Sequence, residues 1–251
     1  MKSSADDRLA SSAFLLFIFT ACLSLLAASD AAAFTASMEG RFAEAKKSAT
    51  PTTEALVLVR FHHWDDILKL PEPPAAQLST RALWHFARGM AFSAKRNFYD
   101  AEAERDSLLK AIATLPDDAT MNLNRTQDIL NLASHLLEGS IAMNRVSMSG
   151  AVAHFEAAVQ IEDALRSDGA PAWFIPARES LGRALMTASR FAEAEQAFRD
   201  ELAHHPGNGR ALFGLWQSLR EQGKKAAAKQ AENQFRAAWK SADVKLTLED
   251  L

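Results

Sequence analysis

The chain has 251 residues, of which 48% are hydrophobic and 24% are charged, so it can bury a core and differs from a disordered protein. Its formal net charge is −3, and no basic stripe emerges along the sequence, which argues against a nucleic-acid-binding protein. The single cysteine, Cys22, excludes disulfides and multi-cysteine zinc sites within one chain. Ala and Leu, two of the strongest helix formers, dominate the hydrophobic content and predict an all-α fold.

Residues 1–33 contain an uncharged apolar stretch, AFLLFIFTACLSLLAA, at positions 13–28. Lys2 and Arg8 precede it and small residues follow it, which is the order of a secretory signal. The stretch is short of the roughly 20 apolar residues that span a membrane. Asp6 and Asp7 offset the leading positive charge. Three alternatives therefore stay open: an export signal with a periplasmic or extracellular mature chain, an uncleaved membrane anchor, or a degenerate repeat helix of a cytoplasmic protein.

Internal repetition is the most informative feature of residues 34–244. In the clearest unit, Leu181 and Gly182 are followed after twelve residues by Ala194, then by Phe198 and a closing Pro206. Small residues allow two helices to cross closely, the phenylalanine fills the space behind the crossing, and proline cannot continue the second helix. The unit therefore predicts an antiparallel helical hairpin.

Other units follow the same spacing. Gly89 precedes Ala101 by twelve residues, Gly139 precedes Ala151 by twelve, and Phe155 follows four later. Weaker matches at Gly40–Ala45, around Ile67 and around Ala228 bring the predicted number of hairpins to six. The step from Ala101 to Ala151 and the step from Ala151 to Ala194 are both longer than the 34 residues that separate Ala194 from Ala228. We expect the extra residues, in Leu115–Thr120 and Ser167–Pro171, to form loops or lengthened helices.

This pattern resembles the tetratricopeptide repeat (TPR) family, whose motif combines L-G-x-x-Y, A-x-x-x-F and a closing proline. The segments VRFHHWDDIL and ALWHFARG make the chain similar to the C-terminal part of longer bacterial TPR proteins. The resemblance implies an all-α solenoid, a right-handed superhelix of stacked hairpins with irregular repeat length, over residues 34–244. Residues 245–251 would then be a C-terminal tail.

The resemblance also implies a concave groove in which a partner protein, peptide or amphipathic helix docks. The family's Lys and Asn pattern for gripping a C-terminal carboxylate is missing here. The predicted groove positions flank the crossing glycines and their counterparts: Phe86, Met90, Leu136, Ser140, Glu179, Arg183, Phe213 and Gln217. The apolar members among them have an alternative, which is to pack inside an unusually tight solenoid.

No catalytic motif stands out, since the sequence has neither a phosphate-binding glycine-rich loop nor a Gly-x-Ser-x-Gly nucleophile elbow. We therefore predict a protein that is not an enzyme and needs no cofactor or metal. It would interact with no nucleic acid, and with a membrane only through residues 13–28 if they stay uncleaved. Two alternatives remain: a metal or catalytic site at His62–Asp66, and a homo-oligomer that buries the surface around Phe86 and Leu136.

Overall fold

The computed structural model describes residues 32–50, 52–167 and 171–251. The apolar stretch at 13–28 and its three alternatives lie outside the described residues. Over the described ranges the fold is helical, apart from one two-stranded antiparallel β-ribbon. None of the helices in these ranges has the length and apolar character needed to cross a membrane.

Twelve described helices follow one another as six antiparallel pairs. The pairs are α1 (residues 32–38) with α2 (Phe42–Ser48), α3 (Glu54–Arg60) with α4 (Trp64–Ile67), α5 (Leu78–Ala94) with α6 (Phe98–Thr114), α7 (Thr126–Asn144) with α8 (Met148–Ala164), α9 (Ala177–Thr187) with α10 (Phe191–His204), and α11 (Gly209–Glu221) with α12 (Lys225–Ala238). The ribbon, β1 (Thr120–Met121) with β2 (Asn124–Arg125), immediately precedes α7, and a 3₁₀ turn covers Leu248–Asp250.

The same turn joins the two helices of each described pair. One residue adopts a positive φ between +59° and +73°, and its N–H donates to the carbonyl three residues earlier. The N–H of the next residue donates to the carbonyl five residues before itself, which is the Schellman end of an α-helix. The turn residues are Gly40, His62, Arg96, Val146, Ser189 and Gly223. The six hairpins predicted from the spacing are therefore present.

The predicted crossing residues lie where helices meet. A side chain on Gly139 would collide with Phe155, and one on Gly182 would collide with Phe198, so both glycines are required by the second helix of their own hairpin. The alanines at the matching position, Ala101, Ala151 and Ala194, are fully buried. Leu181 is half-buried against the core, and Pro206 lies two residues beyond the end of α10.

Gly89 departs from this pattern, because it faces Leu137 of the next first helix, α7. Arg105 stands in α6 where the other two hairpins have phenylalanine, so there is no ring for Gly89 to receive. The missing side chain of Gly89 therefore lets α5 pack closely against α7 of the next hairpin.

Residues near the two ends of the described chain also meet. Gly40 packs on the ring of Trp239, and the carboxylate of Asp243 accepts hydrogen bonds from the N–H groups of Phe42 (2.8 Å) and Ala43 (3.1 Å) at the start of α2. The ring of Phe34 lies 5.7 Å from that of Phe174. The row of hairpins thus closes on itself and encloses an interior space.

Candidate functional site

A cavity of about 490 Å³ lies inside this closed row of hairpins. The first helix of five successive hairpins contributes to its wall, since α3, α5, α7, α9 and α11 all supply lining residues. The remaining wall includes the last three residues of the sequence, 249–251. Two second helices also contribute, through Trp64 of α4 and Phe155 of α8.

Half of the predicted groove residues line this cavity: Met90, Ser140, Glu179 and Arg183. The Ser140 hydroxyl is held 3.1 Å from that of Ser93 on α5, and Asn144 donates to the same Ser93 oxygen at 2.9 Å. These polar contacts fix α7 against α5 on the cavity side.

The other four predicted groove residues do not line this cavity. Phe86 and Leu136 are buried in the core, and Phe213 packs edge-on against Trp216 and beside Phe235. Gln217 is half-buried and does not line the cavity. Of the three apolar residues expected at the groove centre, Met90 lines the cavity, whereas Phe86 and Leu136 lie in the core, as in the alternative of tight internal packing.

The last part of the segment that joins α8 to α9 packs over the buried Phe86. Its consecutive residues Trp173, Phe174 and Ile175 are all buried, and the Trp173 ring lies 5.6 Å from that of Phe86 in an edge-on contact. Some of the residues that lengthen this repeat thus fill space in the interior, and we call residues 173–175 the apolar plug. The Trp-Phe-Ile run was the available sequence signal for it.

Buried charges dominate one end of the cavity, its cationic end. Arg60 and Glu179, which are 4% and 1% exposed, form a two-pronged ion pair, with Arg60 Nη2 donating to Glu179 Oε1 at 3.0 Å. Asn208 donates to the same oxygen at 2.6 Å. Burial alone would raise the pKa of Glu179, but the charge and hydrogen bonds of Arg60 lower it, so the carboxylate is ionised.

A second buried guanidinium leaves this end with excess positive charge. Arg210 on α11 donates from Nη2 to the backbone carbonyl of Arg60 at 2.9 Å. Its burial, together with the charge of Arg60, lowers its pKa to about 9. Arg183 on α9 adds a third, partly buried cation to the same wall. Glu179 therefore shares this part of the cavity wall with three arginines, of which Arg60 and Arg210 act on it directly.

The segment 247–251 occupies this cationic end. Arg210 donates to the carbonyl oxygen of Asp250, and Arg183 donates to that of Leu251 at 3.4 Å. The Asp250 carboxylate lies 3.4 Å from Nδ1 of His62, and Leu251 is only 6% exposed. Burial would raise the pKa of Asp250, yet hydrogen bonds from His62 and Thr247 hold it below its ordinary value.

Sequence reasoning missed Arg60, Arg210 and Asp250 as site residues. Arg60 stands alone among apolar residues in VLVRFHH, and Arg210 opens the otherwise apolar run RALFGLW. A single charge inside a buried helix face is the signal that could have found both.

The four polar residues of His62–Asp66 do not converge on one point. His62 approaches Asp250 in the cavity, whereas the His63 ring stacks on Phe42 at 3.9 Å. Asp65 pairs with Lys95 at 2.7 Å, and Asp66 lies 3.1 Å from Lys69. His63 and Asp66 also pair with each other at 3.3 Å, but His62 and Asp65 take part in other contacts, so the four side chains do not form one site.

The assembled groups can hold peptide carbonyls and carboxylates, because guanidinium groups donate directional, charge-assisted hydrogen bonds to both. Comparison of the chain with protein-family models, with curated proteins and with solved structures gives no match.

Proposed function

We propose that the protein is a TPR-like repeat module of the bacterial type, a solenoid whose concave groove binds a short acidic peptide of a partner protein. The observation that carries this proposal is the placement of residues 249–251 inside the cavity, where two arginines donate to their backbone carbonyls. A groove that accepts this stretch of chain can accept a similar stretch from another protein.

The charges of the cavity favour an acidic partner. Arg60, Arg183 and Arg210 outnumber Glu179 there, and the segment that occupies the site carries Glu249 and Asp250. Burial raises the strength of such interactions because the local dielectric constant is lower than that of water. The recognised peptide should therefore combine one or two carboxylates with a large aliphatic side chain that takes the place of Leu251.

The contact with the protein's own segment is of a kind that a competitor can replace. Thr247 and Glu249 are exposed, and the Asp250 side chain is still 29% exposed at its partner His62. Exposed ion pairs contribute only about 0–1 kcal/mol each. By contrast, a segment tethered to the same chain has an effective concentration on the order of millimolar, so it competes strongly unless its contacts are weakened.

The test measures binding of a fluorescent peptide of sequence Thr-Leu-Glu-Asp-Leu to the full chain by anisotropy. In the double variant Glu249→Gln, Asp250→Asn the internal competitor is weakened, so we expect this chain to bind the peptide about tenfold more tightly than wild type. Asp117→Asn with Asp118→Asn, which changes two exposed loop carboxylates by the same chemistry, should bind as wild type does.

Two further arms make the result decisive. Adding Arg183→Ala to the double variant should abolish the gain, because the guanidinium that donates to the Leu251 carbonyl would donate to the bound peptide in the same way. The uncharged peptide Thr-Leu-Gln-Asn-Leu should bind more weakly than the acidic one. Equal binding of the two peptides, or no binding to the double variant, would refute the proposal.

We also propose that residues 13–28 direct export, since their charged start, apolar middle and small-residue exit follow a secretory signal. Expression in a bacterium, followed by fractionation and N-terminal sequencing, should find the mature chain in the periplasm, starting within residues 29–34. Leu15→Arg should keep the chain in the cytoplasm. Full-length protein in the cytoplasm with either sequence would contradict export.

A further inference from the structure

Three metal-ligating side chains meet between α7 and α8, away from the cavity. His135 and Glu138 lie one helical turn apart on α7, and His154 faces them from α8. The Nδ1 atoms of the two histidines are 3.4 Å apart. Glu138 Oε2 lies 3.3 Å from Nδ1 of His154 and 3.7 Å from Nδ1 of His135.

The position of the cluster follows from the hairpin. Residues three apart on a helix share one face, which brings the first two ligands together. Glu138 stands one residue before the crossing glycine Gly139, and His154 stands one before Phe155, whose ring packs on that glycine. The close crossing of α7 and α8 therefore fixes the distance between the ligands.

The separations match the size of a divalent transition-metal ion. Three atoms separated by 3.3, 3.4 and 3.7 Å lie on a circle with a radius of about 2.0 Å. Zinc binds imidazole nitrogen at about 2.0–2.1 Å and carboxylate oxygen at about 2.0–2.2 Å. An ion close to the centre of this circle would reach all three atoms at normal bond lengths without a change of backbone.

We propose that His135, Glu138 and His154 form a binding site for a divalent transition-metal ion of the zinc class. Two imidazoles and one carboxylate are a donor set that suits zinc, and three protein ligands leave a fourth position for water or another ligand. The site departs from the expectation of a protein that needs no metal.

The surroundings are compatible with an ion that exchanges with solvent. The three side chains are between 25% and 36% exposed, and Glu138 and His154 border a surface hollow of about 250 Å³. Arg105 and Arg145 also border the hollow, but each pairs with a carboxylate, on Asp106 and Glu102 respectively, at 2.7 Å. Partial burial lowers the pKa of His135, which favours the neutral imidazole that a metal requires.

None of the three ligands lines the cavity, so the metal-site proposal and the peptide-binding proposal can be tested independently. The test uses the untagged full chain, stripped with a chelator and titrated with Zn²⁺ by calorimetry at pH 7.5. We expect one equivalent to bind and to raise the melting temperature, because an ion that binds only the folded state stabilises it. The affinity should fall as the pH drops through the histidine range.

Matched variants identify the ligands. Loss of an outer-shell partner alone weakens metal sites about 10–100-fold, so His154→Ala, His135→Ala and Glu138→Gln should each weaken binding at least that much. His204→Ala, which removes an exposed histidine at the end of α10, should leave the titration unchanged. Absence of a stoichiometric zinc equivalent in a folded wild-type chain, or equal affinity in His154→Ala, would overturn the proposal.

Discussion

Two parts of the interior are covered by different kinds of chain. In the apolar part, Trp173 from the segment between α8 and α9 covers Phe86. At the cationic end of the cavity, residues 249–251 rest on Arg183 and Arg210 through hydrogen bonds to backbone carbonyls. The first covering is hydrophobic core throughout, whereas the second combines one buried side chain, Leu251, with the exposed Glu249 and the partly exposed Asp250.

This difference supports the proposal that the cationic end exchanges its occupant. Removing the apolar plug would expose large buried rings to water, at a cost of about 25 cal/mol for each Å². Removing residues 249–251 exposes one buried apolar side chain, Leu251, and charged groups that water solvates well. The expected cost is therefore lower at the cationic end, where we propose that the external peptide binds.

The largest expected effect concerns the apolar plug. Trp173→Ala should lower the free energy of unfolding by about 3–5 kcal/mol, because it removes a buried ring and leaves a cavity against Phe86. Chemical denaturation measures it. The control Leu123→Ala, which truncates an exposed side chain, should change stability by less than about 0.5 kcal/mol. A loss of similar size in both variants would show that the plug is not core.

The buried ion pair should give the next effect. Glu179→Ala leaves Arg60 without its carboxylate in a buried setting and should cost about 3 kcal/mol in denaturant unfolding. Glu232→Ala removes a carboxylate whose two cationic partners, Lys229 and Arg236, are each 67% exposed, and it should cost less than about 1 kcal/mol. If the two losses were equal, the cationic end would be more hydrated than its burial indicates.

A third prediction concerns pH and Glu162, next to the cationic end. Burial raises the pKa of this carboxyl group from 4.5 to about 8, while one of its oxygens accepts from the N–H of Ala177 at 2.9 Å. The folded state therefore holds a proton that the unfolded state releases, so this contribution to stability is complete below pH 4.5 and is lost as the pH rises toward 8.

Glu162→Gln keeps a hydrogen-bond acceptor without this titration. Relative to it, the wild-type free energy of unfolding should fall between pH 5 and pH 8.5. Glu156→Gln, an exposed change on the same helix, should retain the wild-type slope. Parallel profiles for wild type and Glu162→Gln would contradict the prediction.

The smallest effect on stability should come from the acidic segment itself. Asp250→Asn removes a partly exposed charge beside His62 and should cost less than about 1 kcal/mol by thermal unfolding. A cost as large as that of Trp173→Ala would mean that residues 249–251 contribute to the core as much as Trp173 does. The contrast between the two parts of the interior would then be refuted.

The sequence predicted the repeating parts of the fold well. The twelve-residue steps gave the hairpins, and the glycines at 139 and 182 meet the predicted phenylalanines at 155 and 198. Local spacing was sufficient there because one hairpin contains both partners of the contact. The lining of the cavity was not predicted from local spacing, since residues 249–251 reach it from a distant part of the chain.

The amino-acid sequence by itself determined that this protein is built of paired helices, because helix propensity and the spacing of small and large residues act within one hairpin. Only the tertiary structure decided what fills the space between hairpins. The meeting of Phe86 with Trp173, of Arg60 with Glu179 and of Arg210 with Asp250 spans 40 to 119 residues. Contacts at such separations depend on how the hairpins stack and close, and no local pattern specifies that arrangement.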